Sequence, residues 1–394
     1  MLDLIGGHGV LNGSALQARD ADRPVHVDEV ERPGVPASTG LQAPTTNRHR
    51  LGGAFDPRHN SIGLLRLCLA GSVLVSHAYI LGGIEPEPLV GLTNDQEGFG
   101  SLGVAGFFIL SGFLIAASFE RSPSVWRYLW HRFLRIMPAF WVCLLVTALG
   151  FGWFMWWEES GTLGGYLDHP SGPLSFVVNN FWLEYRQNGI AGLPAGVAIP
   201  GLMNASLWTL WPEFLCYLGL AVIGALGVLR WRVPFLVATV AVLWTVWVTK
   251  PFGADVTAFR WGATFGLGSL AWLARDYIPM RGWIAASVAA ALVVAVALGV
   301  YSYVGYPLVG YLLLCAAVWL PFEGVGRGVD LSYGIYIYAA PVEQLLATWD
   351  VGRLGPAIFI ASALAITLPL AIASWFLVEQ RALRLKGWRP PRLS

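Results

Sequence analysis

The apolar residues of this 394-residue chain come in runs of roughly 18–22, and that length limits what it can fold into. About 20 apolar residues in a helix, each rising ~1.5 Å, cross the ~30 Å hydrocarbon core of a bilayer. Ten such runs can be marked, at approximately 61–83, 102–119, 136–157, 206–229, 233–250, 257–274, 283–301, 304–322, 331–349 and 355–378. Composition agrees: mean hydropathy is +0.58 and 12% of residues are charged, about half the share in ordinary soluble domains. The expected fold is therefore all-α, a polytopic membrane bundle of about ten spans covering 59–380.

Orientation follows from the basic residues, which gather on the cytoplasmic side of membrane proteins. With the N-terminus inside, all of the 25 Lys and Arg residues except Arg186, Lys250, Arg260 and Arg353 fall on that side. Both termini are thus expected in the cytoplasm. Residues 1–58, rich in Gly, Pro, Asp and Arg without periodicity, read as a disordered tail, and 381–394 as a short basic one. The spacing of Asp3, His8 and His26 fits no metal site, and none is expected. Cys68, Cys143, Cys216 and Cys315 lie singly in apolar runs and read as small buried hydrophobes. A net charge of +1 without a basic, aromatic-interleaved stripe gives no reason to expect nucleic acid as a partner.

The first span, SIGLLRLCLAGSVLVSHAYILGG, holds two ionisable residues. Such residues inside a membrane helix are costly and mark function by default. Arg66 and His77 are eleven positions apart, which places them on nearly one face, about 16 Å apart along the axis. The imidazole can act as a general base near neutral pH, or it can simply bond to a neighbouring helix. In SLWTLWPEFLCY at 206–217, Glu213 follows Pro212 near the outer end of a span, at a depth similar to His77. A carboxylate there can orient the imidazole, or it can merely favour the positive end of its own helix. In WRYLWHRFLRIMP at 126–138, Arg127, Arg132 and Arg135 form a cationic cluster beside Arg66. Guanidinium groups pair well with phosphate, although snorkelling anchors look alike in sequence. The outer loop 158–205, rich in Gly, Pro, Asn and aromatics, suits a folded cap over a site. No phosphate-binding Gly-rich loop or nucleophile elbow is present.

At these residues the chain resembles the membrane-bound acyltransferase family 3, which includes bacterial O-antigen, exopolysaccharide and Nod-factor O-acyltransferases. The resemblance covers roughly 59–380. It rests on Arg66-x10-His77, on GVAGFFILSGFLIA at 103–116 and on the Arg-x-x-Arg segment HRFLRIMPAFW at 131–141. It rests also on Trp208, Glu213 and Tyr217 in SLWTLWPEFLCY, and on LSYGIYIYAAPV at 331–342 with Ser332 and Tyr333. Ala339 stands where many members carry a His. No outer esterase-like domain is expected after the bundle.

The resemblance implies an O-acyltransferase of the bacterial cytoplasmic (inner) membrane, with no permanently bound cofactor. Its co-substrate would be acyl-CoA, most simply acetyl-CoA, held by Arg66, Arg127, Arg132 and Arg135. His77 and Glu213 would be catalytic, with His77 either a base or a transient acyl carrier. Trp208, Tyr217, Ser332 and Tyr333 would support the site or the acceptor, a carbohydrate or glycoconjugate hydroxyl. Two readings compete. One is a proton-coupled transporter or flippase using His77 and Glu213 as a relay, and the other is an idle scaffold.

Overall fold

A computed structural model describes residues 49–84, 86–122, 124–225, 232–250 and 257–387. Among them the regular elements are helical: α1 (Leu51–Ala54), α2 (Ile62–Leu81), α3 (Pro88–Leu92), α4 (Phe99–Glu120), α5 (Val125–Val146), α6 (Gly152–Ser160), α7 (Pro173–Asn180) and α8 (Leu210–Ala225). There follow α9 (Arg232–Thr249), α10 (Thr257–Leu273), α11 (Gly282–Ala297), α12 (Tyr301–Trp319), α13 (Ser332–Thr348), α14 (Pro356–Ser374) and α15 (Gln380–Arg384). Every segment marked from the sequence is helical over most of its described residues. Among the described residues six helical stretches are long and apolar enough to cross a membrane, namely Ile62–Leu81, Phe99–Glu120, Val125–Ser160, Leu207–Ala225, Tyr301–Trp319 and Pro356–Gly387. The chain is an integral membrane protein. Helices α9, α10, α11 and α13, of 16–18 residues, occupy the four remaining expected segments.

One boundary differs in an instructive way. The basic segment at 126–138 does not precede the third expected span but begins it. Ser124 caps α5, its hydroxyl accepting from the Arg127 N–H at 3.2 Å, so the helix starts at Val125. A π-helical turn at Thr147–Phe151 then carries α5 into α6 without a break. Arg132 and Arg135 therefore stand one turn apart on a single helix face.

Part of the expected N-terminal tail is also ordered. Residues 1–48 lie outside the described residues, but Leu51 is fully buried and its N–H donates to Ile278 O at 2.9 Å. The Met280 N–H returns a bond to His49 O at 2.7 Å. In the expected C-terminal tail, 381–387 are helical and dock on α5, Trp130 Nε1 donating to Leu385 O at 3.2 Å. Residues 388–394 lie outside the described set.

The centre of the bundle is α4, packed against α2 on one side and α10 on another. Small residues let the backbones meet, as membrane helices require when lipid is as apolar as the side chains. A Cβ on Gly112 would stand 2.0 Å from Phe265 O, and one on Gly268 would stand 2.0 Å from Ile109 O. Gly219 on α8 has open space where its Cβ would point. Gly268→Ala is expected to destabilise the detergent-solubilised protein by ~1–3 kcal/mol through overpacking. Gly219→Ala is expected to be neutral or slightly stabilising. Paired thermal unfolding curves of the two variants check this.

Candidate active site

Two helices carry the site. Both α2 and α13 begin at the end of the bundle that holds the arginines, here the arginine end, and run together toward the other end. Two charge pairs join them. At the arginine end Arg66 Nη1 lies 3.0 Å from Asp330 Oδ2, just before α13. Three turns on, His77 Nδ1 lies 3.5 Å from Glu343 Oε2. That contact is at ion-pair range and slightly beyond an N–H···O hydrogen bond. Glu343 is fully buried, and neither of its oxygens has a hydrogen-bond partner among the described residues.

The carboxylate beside His77 is thus Glu343, which corrects the expectation of Glu213. Glu213, in the first turn of α8, accepts from Ser111 Oγ at 2.9 Å and from the Tyr217 hydroxyl. It faces the arginines. A membrane-embedded acid in AAPVEQLL was visible in the sequence one residue past the motif LSYGIYIYAAPV, and the cost of burying it was the signal that could have found it.

At the arginine end a narrow cavity of about 110 Å³ is lined by Arg66, Arg132, Arg135, Glu213, Tyr217 and Tyr333, with Ser332 and an apolar wall that includes Phe107 and Phe108. Three of the four expected arginines therefore meet, and Arg127 does not line the cavity. Their charges differ in availability. Arg135 Nη2 lies 2.5 Å from Asp330 Oδ2 and its Nη1 lies 3.3 Å from Glu379 Oε2, the last residue of a π-helical turn at Trp375–Glu379. Asp330 thus bridges Arg66 and Arg135, and it also accepts from Ser332 Oγ at 2.6 Å. Arg132 has no carboxylate within ion-pair range among the described residues. Its Nη2 reaches only Ser118 Oγ, at 3.5 Å, and its buried Nε has no partner. Arg132 is the cation left over for an anion.

Burial alone would push the Asp330 carboxyl up, but the guanidinium groups of Arg66 and Arg135, with the Ser332 hydroxyl and N–H, hold it below the usual carboxylate range. Neither Asp330 nor Glu379 was singled out from the sequence, because the arginines they pair with come from other helices.

His77 opens on a second cavity, of about 420 Å³, lined by Val73, Ser76, Glu87, Trp208, Arg260 and Trp261 among others. Val104 and Tyr336 line both cavities and so mark where they adjoin. Tyr336 is held by Thr209, their hydroxyl oxygens 2.5 Å apart. The loop 158–205 is folded: Asn180 bonds Arg186 and Gln187, and Gln344 Nε2 on α13 donates to Ile199 O and Leu202 O at 3.1 and 2.7 Å. Of that loop Ala205 lines the His77 cavity, and the segment between α2 and α4 borders it through Glu87, Val90 and Gly98. Ala339 is buried among Ala70, Leu74, Ala78 and Phe359, as packing between α2, α13 and α14.

Asp330→Asn should leave Arg66 and Arg135 without their shared counter-charge and cost about 3 kcal/mol of stability. Because the folded pKa of Asp330 is depressed, its contribution is complete above its unfolded value, ~3.9, and is lost as pH falls through the folded value. The gap between wild-type and variant unfolding temperatures should therefore be constant from neutral pH to about 5 and narrow below it.

Residues 59–376 match the acyltransferase domain of acyltransferase family 3. The chain is 29% identical over 361 residues to the O-acetyl transferase of Shigella phage Sf6, covering 86% of this chain and 99% of that one. It is 31% identical over 378 residues to Nodulation protein 10 of Rhizobium leguminosarum bv. viciae, covering 86% and 96%. No solved structure matches it significantly. The chain belongs to the acyltransferase 3 family, and it is an integral-membrane acyltransferase that moves groups other than aminoacyl groups.

Proposed function

We propose that the protein transfers an acyl group, most simply acetyl, from cytosolic acyl-CoA to a hydroxyl of a sugar-containing acceptor. In this reading it sits in the bacterial inner membrane with ten spans and both termini in the cytoplasm. The observation that carries it is the pair of adjoining cavities, one holding arginines and the other the His77–Glu343 pair.

The CoA phosphates rest against Arg132, where Lys386 adds its charge. The slender pantetheine arm, rather than the nucleotide, suits the narrow cavity with its apolar wall. The thioester then lies near Tyr336, where the two cavities adjoin. With Nδ1 turned to Glu343, the Nε2 of His77 takes the proton of the acceptor hydroxyl. The oxygen forms a bond to the acyl carbon, the C–S bond breaks, and the CoA thiolate recovers the proton from the imidazolium. Glu343 positions the ring and stabilises its charge, the role a buried carboxylate plays beside catalytic histidines. Glu213, bonded to Ser111 and Tyr217, supports the donor cavity wall. Trp208 offers the acceptor an aromatic face on the His77 side.

Acetyl transfer measured with purified protein separates these roles. Arg132→Ala should raise the KM for acetyl-CoA by about tenfold or more, with kcat nearly kept. His77→Ala should lower kcat by roughly 10²–10⁴. Glu343→Gln should lower kcat with little change in donor KM and shift the pH–rate profile. An unchanged donor KM in Arg132→Ala would remove the donor assignment. In cells, alkali-labile envelope ester lost on deletion should return with wild-type protein and not with His77→Ala.

A further inference from the structure

One cation in the His77 cavity has no part in the mechanism above. Arg260, in the first turn of α10, lines that cavity beside Trp208 and Trp261. A cation gains nothing locally there, since the N-terminus of a helix is itself positive. Its guanidinium lies against aromatic rings, with Cζ 4.1 Å from the Trp261 centroid and 5.2 Å from that of Tyr306. Nε and Nη2 are shielded from solvent and donate to nothing among the described residues, and no carboxylate there lies within ion-pair distance.

Among the described residues, the nearby acids do not come within ion-pair distance of it. Glu87, which also lines the cavity, is committed: it accepts from Ser76 Oγ at 2.7 Å and from the N–H of Phe99 at the start of α4. Glu97 is buried beside Tyr301 and Tyr306. Burial pushes its carboxyl up, although those hydroxyls, Arg260 and the Gly98 N–H oppose the rise. The cavity thus combines a proton acceptor at His77, an indole face at Trp208 (41% exposed) and a guanidinium, held by aromatic rings, whose Nε and Nη2 have no acceptor among the described residues.

We propose that Arg260 is a specificity residue that binds an anionic group on the acceptor, a carboxylate or phosphate carried next to the hydroxyl that is acylated. This deepens the acyl-transfer reading and rests on it for the identity of the cavity. An acceptor anion supplies the hydrogen-bond acceptor that Nε and Nη2 lack among the described residues, and the planar guanidinium matches both oxyanions. The neutral sugar ring stacks on Trp208, while the anion draws the ring to a fixed register against His77.

The test reads binding, not transfer. Purified full-length protein in detergent is titrated with three pyranose probes: p-nitrophenyl β-D-glucoside, p-nitrophenyl β-D-glucuronide and glucose 6-phosphate. Wild type should bind one or both anionic probes about tenfold or more tightly than the neutral one. Preference for the glucuronide indicates a carboxylate as the natural group, and preference for the phosphate indicates a phosphate. Arg260→Gln should abolish the preference and Arg260→Lys should keep part of it, which separates lost charge from lost folding. Arg132→Gln should keep it in full, because that cation lies in the other cavity. Equal binding of all probes by wild type, a preference surviving in Arg260→Gln, or one lost in Arg132→Gln instead would each overturn the proposal. Those outcomes leave the acetyl-transfer experiments untouched, and a failure of acetyl transfer leaves this preference measurable.

Discussion

The structure depends on the double pairing of α2 with α13. An ionisable group inside an apolar bundle must find a partner or forfeit several kcal/mol. Arg66 finds Asp330 and His77 finds Glu343, on two helices that run the same way. The intervals are eleven residues along α2 and thirteen from Asp330, just before α13, to Glu343, about 16 and 20 Å at helical rise. Two contacts so far apart fix both the rotation and the axial register of the helices. The net stabilisation from such pairs is small, and their main effect is positional.

That positional effect gives the site its layout. Asp330 also binds Arg135, and Arg135 reaches Glu379 at the end of a π-helical turn, so four elements converge at the arginine end. Two of the three arginines in the cavity are consumed in holding it together, and Arg132 has no carboxylate at ion-pair distance among the described residues. At the His77 end the pattern repeats with different chemistry: Glu87 is consumed by the start of α4, Glu343 is given to His77, and Arg260 is left over. Among the described residues, each cavity therefore keeps one cation with no carboxylate at ion-pair distance. Tyr336, held by Thr209, stands where they adjoin.

Much of this was legible in the chain. Arg66 and His77 share a helix, so their spacing alone set their separation. Arg132 and Arg135 are one turn apart by the same rule, although the start of their helix at Val125 depended on the Ser124 cap. Glu213 was misplaced as the partner of His77 because depth along a span is readable from sequence, while the direction in which a helix face points is not. Helices apolar on every side carry no stripe that says which neighbour a given residue meets. Arg127 was grouped with its neighbours by proximity in sequence, but it does not reach the cavity that they line.

The amino-acid sequence by itself determined that the chain is a helical membrane protein, where its helices lie, and that a cation and an imidazole share one helix three turns apart. These follow from helix geometry and from the cost of unsatisfied backbone in lipid, both local rules. Only the tertiary structure decided that Glu343 faces His77, that Asp330 and Glu379 occupy two of the arginines, and that Arg132 and Arg260 have no carboxylate at ion-pair distance among the described residues. Those outcomes depend on which helices touch. In this bundle that was settled by close backbone approach at residues such as Gly112 and Gly268, together with charge pairs hundreds of residues apart in the chain.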